Sequence, residues 1–174
     1  MNKILISNYF VFDGDTAQVS STRGEQFKTR AAWIDAPEIG HRDNPDAIAI
    51  NQWQWGGASK EYLRLLLSGK HLLLVPIGDD QYGRKLAFWY ASSKLPVRTS
   101  LVNCIQIQMI AAGMACDFLP YTGLEKLSNF QITLFCRILR EQRNAYIRRK
   151  GFWSDPEFLR PSKYRELYSQ QESH

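Results

Sequence analysis

Residues 4–34 read ILISNYFVFDGDTAQVSSTRGEQFKTRAAWI, a stretch rich in β-branched and aromatic residues with turn signals at Asp13-Gly14 and Gly24. The pattern predicts three short strands, Ile4–Phe12, Thr16–Ser21 and Gln26–Ile34. Side chains in the third strand alternate between two faces, which places the charged Arg30 on the same face as Ile34. The chain therefore begins as a run of antiparallel strands joined by tight turns.

The remainder of the chain predicts one helix, two more strands and then a helical end. The predicted elements are a loop from Ile39 to Gly57, a helix over Ala58–Ser68, strands over Lys70–Ile77 and Arg84–Ala91, and helices over Ser100–Ala112 and Glu125–Lys150. Five short strands, one helix after the third strand and two C-terminal helices are typical of an α+β protein built on a five-stranded OB-fold β-barrel. Residues 1–154 are expected to form this domain, and residues 155–174 a polar, loosely attached tail.

Charge is distributed unevenly along the 174 residues, whose net charge is +5 and whose pI is about 9.2. Residues 126–165 hold 10 Lys/Arg against 3 Asp/Glu. A basic segment of this kind favours nucleic acid as a partner, although a solvated helix face explains it equally well. No apolar run is long enough to span a membrane, and the N-terminus is too short and polar for a signal peptide. The expectation is an intracellular protein, or an exported one whose leader has been removed.

Two groups of residues outside the charged segments have open roles. Trp53 and Trp55 lie in the predicted loop, where they could stack on bases or, as we favour, pack the loop onto the barrel. The three cysteines, an odd number, argue against a complete set of disulfides. Cys104 and Cys136 lie in apolar helical patterns and are predicted to be buried thiols.

Four short segments carry the residues that suggest chemistry. They are Asp13-Gly14-Asp15-Thr16, the strand residue Arg30, Asp35-Ala36-Pro37-Glu38, and Asp80-Gln81-Tyr82-Gly83-Arg84. Each segment alone is more often structural than catalytic. Together they place four carboxylates at strand ends that can meet in a barrel, with no Cys or His nearby, and such a set suits Ca²⁺ or Mg²⁺. The two arginines add planar donor forks that match phosphate oxygens, so the combination indicates phosphodiester hydrolysis.

The order of these segments resembles the thermonuclease, or staphylococcal nuclease, family. The resemblance continues through Val102-Asn103, residues 112–115 and Gly151-Phe152-Trp153, and it covers roughly residues 5–154. It implies a Ca²⁺ site formed by the carboxylates of Asp15 and Asp35 and the main-chain carbonyl of Ala36. It further implies that the enzyme cleaves DNA and RNA and leaves 3′-phosphates, with no protein partner, and a monomer is expected.

The resemblance also assigns roles to individual side chains around the metal. Glu38 would hold and activate the attacking water, and Arg30 and Arg84 would bind the scissile phosphate. Asp13 would lie behind the metal ligands and support them without contacting the metal. Tyr82 and Tyr121 would contact the nucleotide. Leu119 and Gln81 stand where the family has a tyrosine and a lysine. Both differences concern substrate affinity rather than the chemical step.

A non-catalytic nucleic-acid-binding barrel is the main rival hypothesis, and a protein-interaction barrel is a third. The set of charged residues distinguishes them, because a pure binding module needs no simultaneous Asp15, Arg30, Asp35, Glu38 and Arg84. All five are present, which favours the enzyme.

Overall fold

The computed structural model of the chain describes residues 2–40 and 46–171. Within them lie seven strands: β1 Ile4–Val11, β2 Thr16–Ser21, β3 Gln26–Ala31, β4 Ile34–Asp35, β5 His71–Asp79, β6 Lys85–Ser92 and β7 Cys116–Asp117. The α-helices there are α1 Ala47–Leu67, α2 Ile105–Ala111, α3 Asn129–Ile147 and α4 Pro161–Gln171. None of these helices has the length and apolar character that a membrane crossing requires.

Five of the strands close into a barrel in the order β1-β2-β3-β6-β5. All neighbours are antiparallel except β3 and β6, which run parallel. The inward side chains of the barrel and the facing side chains of α2 form one apolar core, with Phe88, Trp89 and Tyr90 of β6 among its largest buried members. The predicted α+β class and five-stranded OB-fold barrel are confirmed.

The third strand is shorter than predicted because the backbone turns at Trp33. This residue has a positive φ of 69°, a conformation that side chains with a Cβ rarely adopt and that interrupts a strand. The chain resumes as β4, which pairs with β7 so that Asp35 lies opposite Cys116. The break therefore separates the Asp35 segment from the barrel wall and places it in a two-stranded sheet of its own.

The predicted loop from Ile39 to Gly57 is wrong from Ala47 onward, where the structure has the first half of α1. Asp46 caps this helix by accepting a hydrogen bond from the Ile48 backbone amide at 2.8 Å. Residues 41–45 of the predicted loop lie outside the described residues. Trp53 and Trp55 are consequently helix residues, and the Trp55 ring packs edge-on against Phe152. Trp55 therefore packs against the C-terminal segment, whereas the expectation from the sequence is that the two tryptophans pack a loop onto the barrel.

The two helices after the barrel also begin later than predicted. Residues 100–104 form a turn before α2 begins at Ile105, and α3 begins at Asn129 behind a capping box made by Ser128 and Gln131. Cys104 is buried as predicted, but the prediction for Cys136 is wrong because its side chain lies on the exposed face of α3.

The segment after Ser154 differs from the loosely attached tail that its polarity predicts. Phe158 stacks on Phe152 with ring centroids 4.0 Å apart, and Asp155 accepts hydrogen bonds from Asn51 and Trp55 of α1. The segment then forms α4, whose Tyr164 is buried. A fourth helix therefore joins the fold, while the domain boundary at residue 154 stays a prediction.

Candidate active site

Strand register brings the predicted site residues to one end of the barrel. Thr16 of β2 lies opposite Arg30 of β3, and the parallel pairing places Arg30 beside Leu86 of β6. Because Asp15 immediately precedes β2 and Arg84 immediately precedes β6, both side chains reach the same region as Arg30. Three segments that are far apart in sequence thus meet through barrel closure.

The turn between β1 and β2 is organised by the Asp13 side chain. Its Oδ1 accepts hydrogen bonds from the backbone amides of Asp15 at 2.9 Å and Thr16 at 2.6 Å. Burial and the neighbouring charge of Asp15 raise the pKa of Asp13 to about 7. The Asp13 carboxyl therefore holds the turn that aims Asp15 into the site, in an environment that already carries excess negative charge.

Asp15 and Asp35 are joined through Arg30. The Arg30 Nη2 lies 3.1 Å from Asp15 Oδ2 and 2.6 Å from Asp35 Oδ1. Both aspartates are almost fully buried. Although burial opposes it, the charges of the two aspartates raise the pKa of the Arg30 guanidinium above its ordinary value. The arginine thereby compensates two carboxylates that would otherwise be costly to bury.

A second arginine, Arg165 of α4, continues this chain of charges and was not predicted. Its Nη2 lies 2.7 Å from Asp35 Oδ2, and its Nη1 lies 2.5 Å from Glu38 Oε1. The structure therefore adds a third arginine to the predicted carboxylates and arginines, and an alternating row of acids and bases runs from Asp15 through Arg30, Asp35 and Arg165 to Glu38. Within the polar tail, Pro161 marks a helix start, but that signal does not reveal what Arg165 contacts.

Arg84 is held by Asp80 across the turn that precedes β6. Asp80 Oδ2 accepts from Arg84 Nε at 2.7 Å, and Asp80 Oδ1 accepts from the backbone amides of Tyr82 and Arg84. The Arg84 Nη1 lies 3.5 Å from the Thr16 hydroxyl oxygen, and that hydroxyl donates to Asp15. The structural pairing with Asp80 thus uses Nε and directs the outer end of the guanidinium toward the site.

Two adjoining cavities surround these residues. The smaller, of about 50 Å³, is lined by Asp13, Asp15, Thr16, Arg30, Ala36, Pro37, Glu38 and Arg84. The larger is a cleft of about 890 Å³, which shares Arg30, Glu38 and Arg84 with the smaller cavity and is also lined by Tyr82 and Arg165. Its volume is that of a site for a small organic ligand or a nucleotide. The predicted catalytic side chains therefore stand at the junction of a small polar cavity and a wide cleft.

The two tyrosines predicted to contact a nucleotide are placed differently. Tyr82 is exposed and lines the cleft beside Gln81. Tyr121 is exposed but is not a lining residue, and its hydroxyl donates to Asp117 Oδ2 at 3.3 Å. Leu119 is buried and contributes apolar surface to the cleft.

The chemistry of the available donors suits a hard cation. Ala36 lies next to Asp15, since its amide donates to Asp15 Oδ2 at 3.1 Å, so that the three predicted ligands are neighbours. Their donors are all oxygens, which Ca²⁺ and Mg²⁺ prefer. Over residues 2–40 and 46–171, no three Asp, Glu, His or Cys side chains are grouped to hold a metal on their own. A bound cation would therefore depend on the main chain, water and substrate oxygens for the rest of its shell.

Comparison with known proteins gives a consistent family. The staphylococcal nuclease homologue family matches residues 28–155. The chain is 29% identical over 155 residues to a micrococcal nuclease of Shigella flexneri, covering 89% of this chain and 76% of that protein. It is 28% identical over 155 residues to an uncharacterized endonuclease of Haemophilus influenzae, covering 89% and 69%. It is also 28% identical over 162 residues to the endonuclease YhcR of Bacillus subtilis, covering 89% of this chain and 12% of that protein. With its closed barrel and its row of acids and arginines, the chain belongs to the staphylococcal nuclease family and is a nuclease.

Proposed function

We propose that this nuclease is calcium-dependent, hydrolyses phosphodiester bonds in both DNA and RNA, and leaves 3′-phosphate ends. The observation that carries the proposal is the shared cavity, where Asp15, Arg30, Glu38 and Arg84 all line one small space while Asp35 bonds to Arg30. Acidic ligands, a base and two guanidinium groups within one cavity are the parts that the reaction needs.

Asp15, Asp35 and the carbonyl of Ala36 are the residues that would hold the metal. When bound, Ca²⁺ supplies Lewis-acid polarisation of the phosphate and charge compensation for the growing negative charge. Asp13 keeps the Asp15 backbone in place through its two amide hydrogen bonds. Arg30 fixes the relative position of the two aspartates by bonding to both.

Glu38 is the proposed general base. A water held by the Glu38 carboxylate gives it a proton as the water oxygen attacks phosphorus. The bond between phosphorus and the 5′-oxygen then breaks, and the phosphate stays on the 3′-carbon. The leaving 5′-oxygen takes a proton from solvent water, and Glu38 returns its proton to solvent. Arg30 and Arg84 offer donor pairs to the phosphate oxygens on which charge increases during the attack.

The proposed cleavage of both DNA and RNA follows from the atoms that the site residues would contact. Arg30 and Arg84 are suited to phosphate oxygens, which DNA and RNA share, and phosphate contacts carry no sequence information. Tyr82 stands exposed at the cleft, where an aromatic ring can stack on any base. We also propose Tyr121, which is exposed but does not line the cleft, as a nucleotide contact.

The test is digestion of supercoiled plasmid, single-stranded DNA and single-stranded RNA with Ca²⁺, with Mg²⁺ or with EDTA, followed by mapping of the product ends. We expect cleavage of all three substrates with Ca²⁺, little with Mg²⁺ and none in EDTA. The few protein ligands leave an irregular shell, which Ca²⁺ tolerates better than Mg²⁺.

Glu38→Gln, prepared in the same way, is the matched control for contaminating nucleases. It preserves side-chain shape and removes the base, so it should bind an oligonucleotide and cut it poorly. Full activity in EDTA would refute the metal assignment, and 5′-phosphate ends would refute the direction of cleavage. Binding without any cleavage in Ca²⁺ would instead support the rival, a non-catalytic binding barrel.

A further inference from the structure

The C-terminal segment is anchored at two points along its length. Arg160 forms an ion pair with Asp117 of β7 at 2.6 Å, and the Tyr168 hydroxyl donates to Asp46, the cap of α1, at 2.5 Å. Between them, Tyr164 is buried and its ring packs against Tyr168 at 4.5 Å. These contacts fix the helix face that carries Arg165, so the position of its guanidinium is set by the fold.

Arg165 bridges two acidic residues of the site through different nitrogens. Nη2 bonds to Asp35 and Nη1 bonds to Glu38, so one planar group sets the distance between the two carboxylates. The Asp35 side chain is 3% exposed whereas that of Glu38 is 37% exposed. Asp35 is therefore fixed by burial, and Glu38 is the partner whose orientation depends on the bridge.

The bridge leaves the reactive capacity of Glu38 free. Arg165 contacts Oε1, and in the part of the chain that the structure describes no donor occupies Oε2. Each carboxylate oxygen carries two lone pairs, so Asp35 Oδ2 and Glu38 Oε1 also retain one acceptor position each. The arrangement orients the base without blocking it.

We infer that Arg165 is a positioning residue for Glu38, and that α4 is thereby an integral part of the active site. The inference rests on the proposed role of Glu38 as the base. The guanidinium holds the Glu38 carboxylate near Asp35, at the cleft that Glu38 lines and where the water and the scissile phosphate would lie. A misplaced catalytic group of this kind costs about 10- to 100-fold in rate.

A double-mutant cycle with Glu38 tests the inference. Arg165→Gln should lower the rate of cleavage about 10- to 100-fold. In the Glu38→Gln background, the same Arg165→Gln change should alter the residual rate by less than about threefold. The reason is that the effects of substitutions at two coupled residues are not additive. A third variant, Arg165→Ala, leaves space for a free guanidinium ion. Guanidinium at concentrations far below those that denature the protein should partly restore the cleavage rate of Arg165→Ala. It should not change the rate of the variant that combines Arg165→Ala with Glu38→Gln.

Lys163→Gln is the matched control, since Lys163 lies on the same helix, is exposed and pairs with Glu166. It should cleave as the unaltered protein does. Melting temperature and affinity for an oligonucleotide in EDTA are measured alongside. Loss of the ion pair with the buried Asp35 should lower the melting temperature, whereas the affinity should change little if the role is positional.

Three results would overturn the inference. An unchanged rate in Arg165→Gln would show that Glu38 needs no bridge, and a faster rate would show that α4 instead closes the site. Equal losses in the unaltered background and in the Glu38→Gln background would show that Arg165 acts through the fold or on the substrate. A failure of the unaltered protein to cleave would instead count against the proposed function, so the two failures are distinguishable.

Discussion

At the scale of the residue, Arg84 divides its donors between two tasks. Nε is committed to Asp80, while the Nη groups extend toward Thr16 and the cavity. A lysine could keep an ion pair with Asp80, but its single ammonium could not also present a planar fork to a phosphate. The two tasks are therefore separable by substitution.

We expect Arg84→Lys to remain folded, to bind a short oligonucleotide nearly normally and to cut it at least about 100-fold more slowly. Loss of one preorganised donor costs about 3–4 kcal/mol of transition-state stabilisation, and such a loss lowers turnover more than affinity. Single-turnover rates, a binding titration in EDTA and a thermal melt give the three quantities.

Arg64→Lys is the control for that substitution, because Arg64 also pairs with an acid, Glu61, on the exposed surface of α1. It should leave the rate unchanged. Retention of most of the cleavage rate in Arg84→Lys, with a lowered melting temperature, would show that Arg84 serves only its ion pair with Asp80.

Five residues of the candidate site could be proposed from the sequence because four lie in short motifs beside the ends of predicted strands and Arg30 is a charge within one of those strands. Asp15, Asp35 and Glu38 follow strand ends, and the register of β3 with β2 and β6 brings the two arginines to them. Arg165 could not be found in this way. Its partners lie more than a hundred residues away in the sequence, and nothing in the local pattern of a polar helix specifies what it contacts.

At the scale of the element, α1 seats both acidic segments of the site. A Cβ on Gly14 would lie 1.9 Å from the Ser59 hydroxyl oxygen, and a Cβ on Gly56 would lie 2.4 Å from the Glu38 carbonyl oxygen. Glycine at these two positions lets the helix approach the β1–β2 turn and the Glu38 backbone within contact distance. The helix therefore packs directly against the backbone of Glu38, the proposed base, and supports it.

Gly56→Ala should accordingly displace the Glu38 backbone. We expect a loss of about 1–3 kcal/mol in the free energy of unfolding, as for other overpacked sites, together with slower cleavage. Denaturant melts and initial rates with Ca²⁺ measure the two effects.

The neighbouring Gly57 provides a matched control within the same helix. A Cβ on Gly57 meets nothing within 4 Å, so Gly57→Ala should leave cleavage intact and stabilise the helix by up to about 1 kcal/mol. Equal behaviour of the two variants would contradict the close approach of α1 to Glu38.

The first half of α1 escaped prediction for a related reason. Its buried positions, Ala49, Gln52, Gly56, Ser59, Leu63 and Leu67, follow helical spacing. The first four are small or polar, so the hydrophobic pattern that reveals a helix is present only in the second half. The pair Gly56-Gly57 then looks like a loop signal in the sequence. In the structure, Gly56 is required because the helix packs closely against the Glu38 backbone at that position.

At the scale of the whole molecule, the basic C-terminal third contains both paired and exposed charges. Arg137 pairs with Glu141, and Arg160 pairs with Asp117. Arg165 pairs with both Asp35 and Glu38. Arg140 and Arg143 are exposed residues of α3, a helix whose first turn contributes Gln131 to the lining of the cleft. Part of the positive charge is thus paired within the fold and the site, and part faces solvent, where it can contribute to the attraction of a polyanion.

This division predicts how affinity responds to salt. Each phosphate contact contributes a slope of about −0.7 to the logarithm of the affinity for single strands against the logarithm of salt concentration. Arg140→Gln with Arg143→Gln should therefore reduce the magnitude of that slope by about 0.7 for each phosphate that the variant no longer neutralises, with little effect on the rate at saturating substrate. The slope is measured by titrating a labelled oligonucleotide in EDTA at several salt concentrations.

The control is Arg23→Gln with Lys94→Gln, which removes the same charge from exposed positions outside α3. If both double variants change the slope equally, the α3 arginines form only a solvated helix face, and attraction arises from the net charge of the molecule.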